Sequence, residues 1–442
     1  MAPQTSVELP AGKISSNKEQ ALTPTQVQVD DQVYDAKSLA SIHPGGELFV
    51  KSFAGRDATE AFLSYHRRSF PHARMTKSLV GTAKPLKDSE ADEDFLELCK
   101  IVEQVLPRNK SFAPFSYYVK VAIIFGAAFG LEFYMHYTAQ YPWYLTGLLG
   151  WVFALIGLNI QHDANHGAIS PNAWVNRVLG LGQNWIGGSA VDWIHQHVVQ
   201  HHINPNDVHN DPDIVGNDLL RLNPLMPKNA SQTFQHIYLF VLLGFFGFTY
   251  IGDSLKHNLE GFHKTAYSEL IKTNRIFESA TILSFAFRWL VVPVLQQPSV
   301  YTLLNIAPLF IVGGYYLSFF FVISHNFEGA HLFHPEYTSK VDQSFLRKQV
   351  LSGSNVGGSL LCTLNGGLNY QIEHHLFPRI QHTHYPTIAP VVRQYCLSKG
   401  IPYVHFPSIQ ENVASCARHL YQLGTGGGPS NYVNAQGRKG QQ

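Results

Sequence analysis

The chain has 442 residues, a formal net charge of +1, 14% charged and 13% aromatic residues, and 23 histidines. So balanced a charge gives no reason to expect a nucleic-acid partner, while few charges and many aromatics suit a partly lipid-facing protein. Four scattered cysteines, Cys99, Cys362, Cys396 and Cys416, form no C-x-x-C pair, which argues against a zinc ribbon or a secreted disulfide framework and fits a reducing compartment.

Residues 1–26 are polar, rich in Thr, Gln and Ser, and are expected to be disordered; without an apolar stretch they predict no cleaved leader. Residues 27–82 alternate short apolar runs with polar residues, the pattern of a small soluble domain. It contains His43-Pro44-Gly45-Gly46 and, beyond Gly55-Arg56-Asp57-Ala58-Thr59, a second histidine, His66. Two neutral imidazoles can clamp a haem iron from opposite faces, leaving an iron that passes electrons but does not bind oxygen. The Pro-Gly-Gly turn lets the backbone run close to a haem edge. This segment resembles a cytochrome b5 domain, and the resemblance makes His43 and His66 the ligands of haem b.

Residues 83–111 read as a charged linker. Within it Phe95, Leu96, Leu98, Ile101, Val102 and Val105 form one helical apolar face, expected to lie on a membrane surface. Apolar runs follow at 117–136, broken only by Lys120 and Glu132, and at 144–160, each near the roughly 20 residues of a bilayer crossing. Tyr141, Trp143 and Tyr144 suit an interfacial belt. Further runs occupy 237–252, 278–295 and 301–324. If all histidine motifs share one site, an even number of crossings separates His202 from His374. The sequence therefore predicts about four transmembrane helices: 278–295 and 301–324 form a hairpin, and the shortest run, 237–252, stays in the interface or re-enters. Residues 423–442 are low-complexity and expected to be disordered.

The histidines cluster at the ends of apolar runs. His162 and His166 are four apart and share a helix face. His195, His197, His201 and His202 form a second cluster, and Gln371, His374 and His375 a third; His325 caps the last long run. Imidazole suits iron, zinc or copper. One zinc needs only about three or four ligands, so this supply argues for two metals. His195, two residues from His197, is read as a supporting or surface residue. Asp163, Asn165, Glu373, Asp211 and Asp213 are candidates to orient imidazole N–H groups.

From about residue 27 to 420 these features resemble the front-end acyl desaturases, which join a cytochrome b5 domain to a membrane desaturase with three histidine boxes. A third box opening on glutamine, here Gln371, marks that group. The resemblance implies an N-terminal α+β haem domain (27–82) and an all-α membrane domain (112–422). It makes His162, His166, His197, His201, His202, His325, His374 and His375 ligands of two non-haem iron ions, with Gln371 a ninth position. The second box commonly has two residues between its first histidine and the pair; here Val198, Val199 and Gln200 make three, as in some members that act at the Δ5 position, and His195 stays open as the alternative first ligand.

The implied reaction uses O2 and electrons from NADH, delivered through NADH–cytochrome b5 reductase and the fused haem, to leave a cis double bond in a polyunsaturated fatty acyl chain. The new bond lies between the carboxyl end and the existing double bonds, with Δ5 slightly ahead of Δ6. Fusion replaces a bimolecular encounter by an effective concentration of roughly millimolar. The substrate is an acyl-CoA or an acyl-phospholipid, and the expected home is the endoplasmic reticulum membrane, both centres facing the cytosol. Sphingoid-base desaturases and related di-iron hydroxylases share these boxes. A non-enzymatic membrane haem carrier would not need every histidine cluster intact, and a membrane zinc hydrolase would not need a haem domain.

Overall fold

The computed structural model describes residues 22–83, 93–215, 219–224, 226–260, 271, 275–330 and 344–426. Most of the two terminal segments expected to be disordered, and residues 84–92 of the connector, lie outside the described residues.

The N-terminal unit is small and mixed. Strands Gln26–Val29 and Gln32–Asp35 form an antiparallel hairpin through Asp30 and Asp31, and Leu79–Thr82 adds antiparallel to the second strand. Asp35 ends its strand and caps the helix Ala36–Ser41, accepting from Ser38 N at 2.7 Å. Helices Glu47–Ser52 and Thr59–His66 complete the unit. Just before the first of these, the 43–46 turn closes with Gly46 N donating to His43 O at 3.1 Å. Gly45 has no room for a side chain, since a Cβ there would sit 2.9 Å from His43 Cε1.

The core of this unit does not end at its own residues. Val27, Val29, Tyr34, Leu39 and Phe53 share one cluster with Ile194, Val198 and Val199 of the second histidine box. Polar contacts reinforce the junction. The buried Lys348 ammonium lies 3.0 Å from Glu60, and Arg67 donates to Leu106 O at 3.1 Å and Ser111 Oγ at 3.2 Å.

The connector helix Glu93–Val105 corrects one expectation. Its apolar face does not lie free for a membrane: Phe95, Leu98, Cys99 and Val102 are buried against Phe345, Phe377, Ile388 and Val392. Lys399 pairs with Asp94 at 2.7 Å and Glu97 at 2.8 Å, fastening the polar side to the helix Tyr385–Ser398 at its C-cap.

Among the described residues, five helices are long and apolar enough to cross a membrane: Arg108–Thr138, Trp143–Asn165, Ala230–Leu259, Ile276–Gln296 and Val300–His325. The last packs along Trp143–Leu155, where Gly150 allows backbone contact; a Cβ there would fall 2.3 Å from Leu309 O. Three of the charges inside these helices have partners. Glu132 pairs with Arg288, which also donates to Trp185 O at 2.7 Å, and Lys120 binds Asn159 and the Thr363 carbonyl.

Contacts along Ala230–Leu259 bear on the parity of crossings. Near one end Gln235 donates to Arg221 O and Leu420 O; near the other Ser254 and His257 meet Asp192, three residues before His195. Gly247, between them, meets Gly314 near the middle of Val300–His325. Both ends are thus tied to elements flanking the histidines, while the helix between them is itself long enough to cross a membrane. Ile276–Gln296 and Val300–His325 form the hairpin, with Gln296 bonded to His136 O at the far turn.

Candidate metal centre and haem cleft

Two stretches of wide, π-type helix build the centre. Ile156–Gln161 delivers His162, and Ile194–His201 carries the second box. In the latter, His202 N donates to His197 O at 2.9 Å, five residues back. That extra residue per turn is what the three-residue spacing of the second box requires. It turns His197, His201 and His202 to one side and Val198 and Val199 toward the N-terminal unit. Such bulges recur at functional sites.

The imidazoles converge in two groups. His162, His166, His197 and His374 bring one ring nitrogen each within 4.8 Å of the others, and His201, His325 and His375 do the same. His202 lies between: its Nε2 is 3.1 Å from His197 Nε2 and 3.0 Å from His374 Nε2, and its ring stacks on His375 at 4.3 Å. Gln371 is in the second group, its amide 2.9 Å from His325 Nε2. His195 belongs to neither. It is buried, not on the surface, and burial with the Arg56 charge pushes its pKa down to about 3.

The outward nitrogens are held by the protein. His201 Nδ1 meets Asp211 at 3.1 Å and Asp213 at 3.0 Å. His325 Nδ1 donates to Ser352 O at 3.0 Å, and His375 Nδ1 to Gln349 Oε1 at 2.8 Å. Gln349 Nε2 donates to His202 O, which fixes its amide with the oxygen toward His375. His374 Nδ1 contacts Tyr385 at 3.1 Å and His166 Nδ1 contacts Tyr65 at 2.7 Å. With Nδ1 so engaged, Nε2 is the nitrogen left for a metal. The Nε2 atoms of His162, His166, His201 and His375 are buried without a protein partner. Burial holds His166, His197, His202, His374 and His375 well below the ordinary histidine range, hence neutral and able to ligate. His201 differs: against the burial cost, Asp211 and Asp213 raise it to about 10. The donor set therefore fits two adjacent metal ions.

Of the residues expected to orient ligands, Asp211 and Asp213 touch a clustered imidazole. Asp163 lies 4.0 Å from His162 Nδ1 and pairs more closely with His382, at 2.6 Å; Asn165 bonds Gln161, and Glu373 bonds Asn355 and Tyr403. Sequence reasoning missed Tyr65, Gln349, Ser352 and Tyr385, which come from remote segments with no spacing signal.

Two cavities flank the imidazoles. One of about 180 Å³ touches His162 and His197, the other of about 280 Å³ touches His201 and His325; Phe246, Ser318 and Phe321 line both. Their walls belong largely to the apolar helices, so an apolar chain is the ligand they suit.

A third cavity, about 280 Å³, lies in the N-terminal unit. His43 and His66 face each other there, ring centres 5.9 Å apart. Their Nδ1 atoms donate to Gly46 O at 2.8 Å and Phe62 O at 3.0 Å, leaving each Nε2 as a lone pair. Burial pushes His66 down to about 3 and also lowers His43. Paired neutral imidazoles over an apolar cleft fit a haem. His166 and Arg379, from beyond the unit, line the same cleft.

Comparison with known proteins agrees with this geometry. The fatty acid desaturase family profile matches residues 112–407, and the profile of the cytochrome b5-like haem/steroid-binding domain matches residues 16–84. The chain is 46% identical to an acyl-lipid (7-3)-desaturase of Rebecca salina, with 92% of this chain and 93% of the relative covered. It is 43% identical to one of Diacronema lutheri, with 95% of each covered. A Delta(5) fatty acid desaturase A of Dictyostelium discoideum is 29% identical, with 90% of each covered. The chain belongs to the fatty acid desaturase family, as a front-end acyl desaturase that carries its cytochrome b5 domain on the same polypeptide.

Proposed function

We propose that the chain inserts a cis double bond on the carboxyl side of the existing double bonds of a polyunsaturated acyl-lipid, in the (7-3) manner. The relatives at 46% and 43% identity carry that name, and relatives named Delta(5) or (8-3) are 29% identical or less, so the Δ5 lean of the second box yields to them. By analogy with 8-3 and Delta(5), the name reads as a new bond at carbon 4, three carbons from one at carbon 7.

The observation that carries the reading is the convergence of eight buried imidazoles beside apolar cavities. His162, His166, His197, His201, His202, His325, His374 and His375, with Gln371, would hold two iron ions. His43 and His66 would hold haem b, in a domain spanning 27–82 that serves a membrane domain spanning 112–422. Bound iron would supply the oxygen chemistry that removes hydrogen from unactivated methylenes. The protein's own part is placement. Phe246 and Phe321 line the path for the chain, the buried walls exclude water, and Asp211, Gln349 and Ser352 hold protons on outward Nδ1 atoms.

The contacts between the haem unit and the histidine boxes keep both on one side of the apolar layer. That suits a cytosol-facing enzyme of the endoplasmic reticulum reduced through NADH–cytochrome b5 reductase.

Expression in yeast with polyunsaturated acids whose first double bond lies at carbon 7 or carbon 8 tests the reading. A new bond at carbon 4 of the first acid, located by mass spectrometry, is expected; a new bond only at carbon 5 of the second returns the assignment to Δ5. His374→Ala should abolish either product with haem absorbance intact, and His43→Ala should remove the haem signal.

A further inference from the structure

We propose that Arg379 is the cationic partner of a haem carboxylate, so that the haem site is completed by a residue of the desaturase domain. The inference rests on reading the His43–His66 cleft as the haem site.

Arg379 follows the third histidine box in Leu376-Phe377-Pro378-Arg379 and lines the cleft together with His43 and His66. It is half-buried, yet among the described residues its guanidinium has no ion pair and no hydrogen bond. Its one recorded contact is the Phe112 ring, 5.4 Å from the guanidinium carbon. Burial disfavours its charge, and that charge in turn lowers both His43 and His66, which puts the guanidinium within electrostatic reach of both imidazoles. Other walls of the cleft are apolar, Val29, Leu39, Phe53 and Phe62 among them. A partly desolvated cation without a counter-charge is unfavourable, and an anion entering the cleft would relieve that. The charged groups of haem b, apart from its iron, are two carboxylates, and a guanidinium fork matches a carboxylate in two parallel hydrogen bonds. A haem held by His43 and His66 brings such a group into the same cavity.

The test uses the purified full-length haem-loaded protein and reads haem, not desaturation. Haem transfer to excess apomyoglobin gives the dissociation rate, and spectroelectrochemistry gives the midpoint potential. Arg379→Gln is expected to keep the Soret band, lose haem about tenfold faster, and show a lower potential, because a positive charge beside the haem favours the ferrous state. Wild-type protein reconstituted with haem dimethyl ester, whose carboxylates are masked, should lose its haem faster by a similar factor. In Arg379→Gln, masking should then have little further effect. An equal ester effect in both proteins overturns the proposal. If Arg379→Gln does not purify, the wild-type comparison decides alone, and no ester effect there overturns it. A His43→Ala variant that retains haem would instead remove the cleft reading itself.

Discussion

The phenol oxygen of Tyr65 lies 2.7 Å from His166 Nδ1, across the junction between the two parts of the chain. Tyr65 is the neighbour of His66, and burial pushes its phenol up, so it is un-ionised. A His166 that turns Nε2 inward donates Nδ1–H to that oxygen. The haem domain thus supplies the outer partner of one imidazole in the metal group.

Tyr65→Phe removes that partner and little volume. Iron content or turnover should fall by about 10- to 100-fold, while haem absorbance stays at the wild-type level. Iron analysis beside the Soret spectrum checks this; full iron loading and normal turnover would reduce the contact to packing.

Asp211 and Asp213 both touch His201 but differ in burial. Asp211 is 1% exposed and also accepts from Asn206 N, whereas the Asp213 side chain is 40% exposed. Asp211→Asn should therefore lower iron occupancy more than Asp213→Asn. Equal losses would mean that charge, not position, is what His201 needs.

Phe321 lines both flanking cavities and its ring lies 5.2 Å from that of His201. Phe321→Ala joins the cavities and loosens the seat of the acyl chain. Turnover should drop roughly 10- to 100-fold, with new double bonds appearing at neighbouring positions. A single unchanged product position would assign the register to other residues.

Gly150→Ala drives a methyl group into the Leu309 carbonyl, whereas Gly126, on the exposed face of Phe115–Thr138, has nothing within 4 Å of its virtual Cβ. The first substitution should cost about 1–3 kcal/mol and the second should be near neutral. Thermal unfolding in detergent, followed by haem-independent fluorescence, measures both.

The boxes were legible because ligand chemistry shows in composition and because His162 and His166 obey the 3.6-residue period. The second box was harder: an α-helical wheel does not bring His197 together with both His201 and His202, and the π-type turn that does so leaves no mark in residue type. The apolar face of Glu93–Val105 was legible as a face, but periodicity does not say what covers it. Counting crossings set 237–252 apart on parity, a global constraint that local hydropathy lacks, yet it lies within Ala230–Leu259, a helix long enough to cross a membrane. The outer partners were beyond reach. Tyr65 stands 101 residues from His166, and a single tyrosine carries no periodic signal.

Val198 and Val199 complete the core of the N-terminal unit, and this limits how freely the two halves can be exchanged. A carrier that shuttles must present a water-compatible face when it departs; here departure would strip apolar side chains from both partners. The haem unit is therefore a fixed part of the molecule, not a detachable cassette. Grafting a foreign domain in its place would leave two valines bare beside the second histidine box.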